Sequence, residues 1–290
     1  MSDAVDLVVG PRLRPLEGLT VNRVWPTARR RLIGPFIFLD HMQPVALAAG
    51  RGLDVPPHPH IGLATVTYLF EGALQHADSL GVEQRIEPGA LNWMTAGRGI
   101  THSERTPADE RARTSRLHGV QAWVALPRAR ERDAPSFEHV AAADLPLIEQ
   151  PGAKIRLIAG SAFGAKAPVA TASPLFYAEA ELEPEAAIAL DRTLGERAVY
   201  IVSGSVGVGG VGCDAGRLFV LKNGIDCEVV AHEPTRLMLL GGPPLDGERH
   251  IWWNFVASDP ALIETAKRDW AERRFAPVPN DDGYMPLPSA

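Results

Sequence analysis

Cysteine is nearly missing from the 290 residues: only Cys213 and Cys227 occur, and neither belongs to a CxxC pair. A disulfide framework and a cysteine-based zinc site are therefore excluded, and a reducing compartment is expected. Long apolar runs are lacking too. Nowhere do about 18 apolar residues follow one another without charges or turn formers, so no membrane span is expected. The opening residues, MSDAVDLVVGPRLRP, carry acids where a secretory signal needs positive charge, and their apolar stretch stops at Gly10-Pro11. A cytoplasmic protein is the expectation. Positive charge is also in deficit, with 29 Lys and Arg against 35 Asp and Glu and a formal net charge of -6. That balance repels a phosphate backbone and argues against direct nucleic-acid binding. The one basic run, Arg29-Arg30-Arg31, lies between Pro26 and Gly34 and reads as a solvated loop.

Glycine and proline, in contrast, are plentiful, 27 and 25 residues spread along the chain, as suits short strands joined by tight turns. Runs rich in β-branched and aromatic residues recur at 64–70, 74–77, 119–126, 154–159, 175–181, 198–202, 218–221 and 236–240. They predict an all-β protein. A chain of 290 residues exceeds one ordinary hydrophobic core. The polar, proline-bounded stretch 127–135 reads as an exposed linker, which gives two domains, 1–130 and 136–290. One helix is expected at about 259–274, capped by Ser258, with Pro260 in its first turn and an apolar stripe of Leu262, Ala266 and Trp270. Residues 275–290, with four prolines, read as an extended tail.

The halves echo one another. Tyr68-Leu69-Phe70-Glu71-Gly72 followed by Glu87-Pro88-Gly89 is matched by Tyr200-Ile201-Val202-Ser203-Gly204 followed by Asp214-Ala215-Gly216. This pattern suggests a duplicated barrel.

Chemistry concentrates in the first half. His58 and His60 are two residues apart, a spacing that turns both imidazoles to one face of a strand. His102 and Glu104 repeat the spacing with an imidazole and a carboxylate. Four ligands converging from two strands suit one divalent ion, and three nitrogens plus a carboxylate favour Fe(II), Mn, Ni, Cu, Co or Zn over Ca or Mg. Carrying the two repeat offsets into the second half puts Leu190, Arg192, Val229 and Ala231 at the equivalent positions, which bind no metal. His41, His76, His118, His139, His232 and His250 show no partner at ligand spacing and are read as structural or exposed. Phe36, Phe38, Trp93 and Met94 are candidate walls of an apolar pocket, and Asp40 and Gln121 candidate supports for a ligand or substrate.

Four blocks resemble the signature of the pirin family within the cupin superfamily: GPFIFLDHMQP at 34–44, PHPHIGLATVTYLFEG at 57–72, PGALNWMTAGRGITHSE at 88–104 and LHGVQAWVALP at 117–127. The resemblance implies two cupin-type, jelly-roll-like β-barrel domains with a C-terminal helix, and metal ligands on His58, His60, His102 and Glu104. It further implies iron as the first choice of metal and oxidative ring opening of a small aromatic, flavonol-like substrate by a quercetin 2,3-dioxygenase, with Glu104 as catalytic proton acceptor. The alternative it implies is a non-enzymatic, iron-dependent redox sensor that binds a protein partner. Two departures stand out. The glutamate that cupins generally carry four or five residues after the HxH pair is replaced here by Ala64 and Thr65, and Arg249-His-Ile-Trp-Trp-Asn-Phe255 suggests a bacterial branch.

Overall fold

The computed structural model describes residues 4–16 and 19–288 and bears out the all-β reading. Strands at Leu63–Glu71, Leu74–Asp78, Ser115–Ala125, Ala153–Ala162, Phe176–Leu182, Glu196–Ser203, Leu218–Leu221 and Thr235–Gly242 fall where the β-branched and aromatic runs predict them. The chain divides into two compact units whose boundaries differ from the contiguous split at 130 and 136. One comprises Leu13–Val21, Asp40–Ala142 and Asp246–Ala290, the other Met1–Arg12, Asn22–Leu39 and Ala143–Leu245. The reasons are pairing and packing. The strand Val5–Val9 pairs antiparallel with Leu218–Leu221, so the first residues join the later sheet. Residues 250–257 form a hairpin whose Phe255 bridges to Ile61, so the last residues join the earlier one. The stretch 127–135 is mostly exposed, as its composition predicts, but it is anchored at Glu131, which is buried and whose carboxylate pairs with Arg249 Nε at 2.9 Å.

The unit holding His58 contains a four-stranded sheet in the order Asp54–His60, Ile100–Arg105, Leu74–Asp78, Glu83–Ile86. A seven-stranded sheet lies across a shared core, to which Leu69, Leu117 and Met42 come from one sheet and Val55, Leu74 and Ile86 from the other. The strands form open sheets and not a closed hydrogen-bonded ring, so the barrel is a cupin-type sandwich. Its helix is Pro260–Ala271, capped by Asp259, whose side chain accepts from Ala261 N at 2.9 Å. Ser258 is diverted from the capping role by Glu131, to which its N and Oγ both donate. The buried stripe is Ile263, Ala266 and Trp270, one register from the expected start at Leu262, and it packs on Ile61 and Phe255. The tail beyond crosses the strand Asp54–His60: Met285 N donates to the Pro57 carbonyl at 3.0 Å, and Trp270 Nε1 to the Met285 carbonyl at 2.9 Å.

The other unit repeats the plan, with a four-stranded sheet in the order Ala187–Leu190, Cys227–Ala231, Ser205–Val208, Val211–Asp214 and an eight-stranded partner. The core between them is apolar, with Leu190, Val208, Val229, Phe219 and Leu239 all buried. Arg30 belongs here. It is ion-paired to Asp6 at 3.1 Å and Glu196 at 2.5 Å, which corrects the reading of its run as a wholly solvated loop.

Candidate metal centre

His58 and His60 project from Asp54–His60, and His102 and Glu104 from the neighbouring Ile100–Arg105. His102 lies directly opposite His58 in the antiparallel ladder, which puts their side chains on one face. The next register step is irregular: Glu104 pairs with Val55, so three residues of one strand span two of the other. The extra residue falls at Pro56-Pro57, where no N–H is available to the ladder, and proline sequence thus sets a β-bulge beside the site.

One ring nitrogen from each of His58, His60 and His102 lies within 4.8 Å of the others, and all three residues are buried. His60 Nε2 and His102 Nε2 are 3.1 Å apart, the separation of two donors that share an ion at about 2.1 Å and subtend roughly a right angle. The far sides of the rings have partners. His58 Nδ1 faces the Pro56 carbonyl at 2.9 Å, and His60 Nδ1 faces the Asn254 carbonyl at 3.2 Å. A carbonyl only accepts, so these Nδ1 atoms carry the protons and the Nε2 lone pairs are left free. Burial holds all three histidines below their ordinary pKa, and for His60 and His102 repulsion from the neighbouring histidines lowers it further. They are neutral at neutral pH, the form that binds metal. The donor set therefore fits a transition ion.

The Asn254 carbonyl is delivered by a strained turn. Trp253 occupies the left-handed region at φ 51°, an uncommon place for a bulky side chain, between the paired Trp252 and Phe255. The hairpin closely approaches the turn that follows the strand Asp54–His60. A Cβ at Gly62 would lie 1.9 Å from the Val256 carbonyl oxygen, so only glycine fits.

Glu104 is buried on the same strand but outside the close histidine set. Gln121 Nε2 donates to both carboxylate oxygens, at 3.0 and 2.9 Å, and Thr67 Oγ1 donates to one at 3.2 Å. Gln121 thus supports the carboxylate and not an imidazole, while Asp40 is buried on Phe36–Leu47. Of the expected pocket walls, Phe36 and Phe38 fall in the other unit, Phe36 5.4 Å from Tyr177 and Phe38 under Arg23. Met94 packs with Ile100 and Phe137 near the site, and Trp93 is buried with its Nε1 donating to Thr95 Oγ1. The wall against His60 is Trp123, at 5.3 Å edge to face.

His76 is the residue that sequence reasoning passed over. It is buried, its Nδ1 lies 3.4 Å from His102 Nδ1, and its Nε2 lies 3.0 Å from Asp78 Oδ2. The signal was there, since His76 and Asp78 show the same two-residue spacing as the ligand pairs. His41 and His118 form a second buried pair with Nε2 atoms 2.8 Å apart. Burial, with His118 adding, lowers the His41 pKa to about 3. Their 77-residue separation leaves no local pattern to read.

Two sandwiches of the cupin type, one carrying a histidine triad able to hold a metal ion, define a two-domain cupin protein. Residues 18–124 match the family profile Pirin, and residues 177–276 match Pirin C-terminal cupin domain. The chain belongs to the pirin family. A pirin-like protein of Caulobacter vibrioides is 48% identical over 98% of this chain and 99% of its own length. Human pirin is 31% identical over 79% of this chain and 78% of its own. The crystal structure of quercetin 2,3-dioxygenase from Acinetobacter baumannii superposes with a TM-score of 0.90 at 33% identity, covering 98% of this chain and 95% of that one. No helix among the described residues is long and apolar enough to cross a membrane.

Proposed function

We propose that this pirin is a metal-dependent dioxygenase that opens the ring of a flavonol-like substrate, with His58, His60, His102 and Glu104 as the metal ligands and Fe(II) as the ion. The observation that carries the reading is the convergence of three buried, neutral imidazoles, the outward nitrogens of His58 and His60 facing carbonyl acceptors, beside a buried carboxylate. The 33% identity to a quercetin 2,3-dioxygenase across nearly the whole chain supports the substrate class. When bound, a divalent transition ion supplies Lewis acidity and redox chemistry toward dioxygen. The chain supplies the rest. Glu104 accepts the hydroxyl proton of the flavonol, becoming a neutral carboxylic acid, and Gln121 holds it in place by donating to its oxygens. Trp123 excludes water on the His60 side.

The test is loss of flavonol absorbance when quercetin is added under air to protein loaded with Fe(II). Turnover above that of free iron is expected, falling by about 10²–10⁴ in Glu104→Gln. Turnover no greater than free iron would sink the enzyme reading and leave the iron-dependent redox sensor with a protein partner.

A further inference from the structure

Asp78 is fully buried and its bonds are sorted by oxygen. Oδ1 accepts from the backbone N–H of Leu80 at 2.8 Å and of Val82 at 3.2 Å, while Oδ2 faces His76 Nε2 at 3.0 Å. A carboxylate accepts, so Nε2 of His76 carries a proton, and in the neutral imidazole that leaves Nδ1 with the lone pair. That lone pair faces His102 Nδ1 at 3.4 Å, and Phe137, stacked at 4.5 Å and 21°, fixes the plane of the His76 ring. We infer that Asp78 and His76 are positioning residues that hold the proton of His102 on Nδ1 and so keep its Nε2 lone pair directed at His60 Nε2 and the metal. The consequence for metal binding rests on the ligand assignment proposed above; the proton placement does not.

The other unit supplies an internal control. The sequence repeat places Leu190 and Val208 opposite His58 and His76, and the ladders, pairing Leu190 with Cys227 and Val208 with Val229, then make Cys227 and Val229 the counterparts of His102 and Glu104. By count, Gly210, in the following turn, stands where Asp78 does. Where the ligands are gone, the Asp–His pair behind them is gone too. Nothing about the fold itself requires it.

Asp78→Asn makes a sharp test because its outcome has a direction. The two backbone N–H groups retain the amide oxygen at Oδ1, so the new NH₂ faces His76 Nε2 and donates. His76 must then carry its proton on Nδ1, which turns His102 Nδ1 into an acceptor and pushes the His102 proton onto Nε2, where the metal binds. An isosteric change thus reverses the whole relay.

Two measurements decide the matter. Long-range proton–nitrogen correlation spectra of metal-free, ¹⁵N-labelled protein report which nitrogen of His102 is protonated: Nδ1 is expected in the wild type and Nε2 in Asp78→Asn. Co(II) titrations followed by visible absorption report affinity, expected to fall by about 10–100-fold in Asp78→Asn and in His76→Leu. Adding Asp78→Asn to His76→Leu should change affinity by no more than about twofold further, because the relay is already cut. A wild-type His102 protonated on Nε2, or an Asp78→Asn variant with unchanged tautomer and affinity, would overturn the proposal. Should His76→Leu fail to fold by circular dichroism, Asp78→Asn carries the test alone. Should the wild type bind no Co(II), the ligand assignment fails while the tautomer spectra still decide this one.

Discussion

The two four-stranded sheets have the same strand order, yet one presents His58, His102, Glu104 and His76 at the positions where the other presents Leu190, Cys227, Val229 and Val208. One face is a set of buried polar groups that need partners; the other is packed, apolar core. The comparison teaches that the sandwich does not make the metal centre. A buried polar side chain is costly unless its polar atoms are occupied, so His58, His60, His102 and Glu104 each have a polar partner, while the apolar copy needs only volume.

The largest predicted effect separates the sheets outright. His58→Ala should reduce bound metal from about one ion per chain to near zero by elemental analysis, and its counterpart Leu190→Ala should leave it unchanged. Equal metal content in His58→Ala and wild type would end the distinction. Stability should respond the other way. Leu190→Ala opens a cavity in a fully buried position and is expected to cost about 2–5 kcal/mol in urea unfolding, more than His58→Ala costs the metal-free protein.

A third test uses protons. His41 is held at about 3, and His60 and His102 well below their ordinary value, whereas all three titrate near 6.5 when unfolded. As pH falls below 6.5 the unfolded chain gains protons that the folded chain refuses. Stability of the metal-free protein should therefore fall by about 1.4 kcal/mol per pH unit for each such histidine, in a window that for His41 closes near 3. The effect belongs to the histidine-bearing unit; denaturant midpoints that do not move between pH 7 and pH 5 would contradict it. The smallest effect probes the helix of that unit. Asp259→Ala removes its cap and should lower stability by about 1 kcal/mol, whereas Ser258→Ala should act through Glu131 and leave the helix end intact.

Much of this was legible in the chain because it is local. The i, i+2 spacing of His58 with His60 and of His102 with Glu104 is a strand property, and the β-branched runs mark the strands themselves. What escaped is long-range. The Asn254 carbonyl reaches His60 across 194 residues, and Glu131 meets Arg249 from a stretch whose polar composition reads as solvent-exposed. The exchange of the chain ends between units also depends on edge pairing that no local pattern encodes. Alignment of the halves from the sequence places Val229 and Ala231 opposite His102 and Glu104. The ladders instead give Cys227 and Val229, because the loop before the ligand strand differs by two residues between the copies. His76 and Asp78 show the same i, i+2 spacing, but they bond to each other, with His76 beside His102, outside the triad.

The most direct test of the central claim is an anomalous difference map from crystals grown with Fe(II), collected at the iron edge. A single peak about 2.0–2.2 Å from the Nε2 atoms of His58, His60 and His102, with none beside Leu190 and Cys227, is the predicted result. An empty triad, or a peak on the Leu190 side, would contradict it.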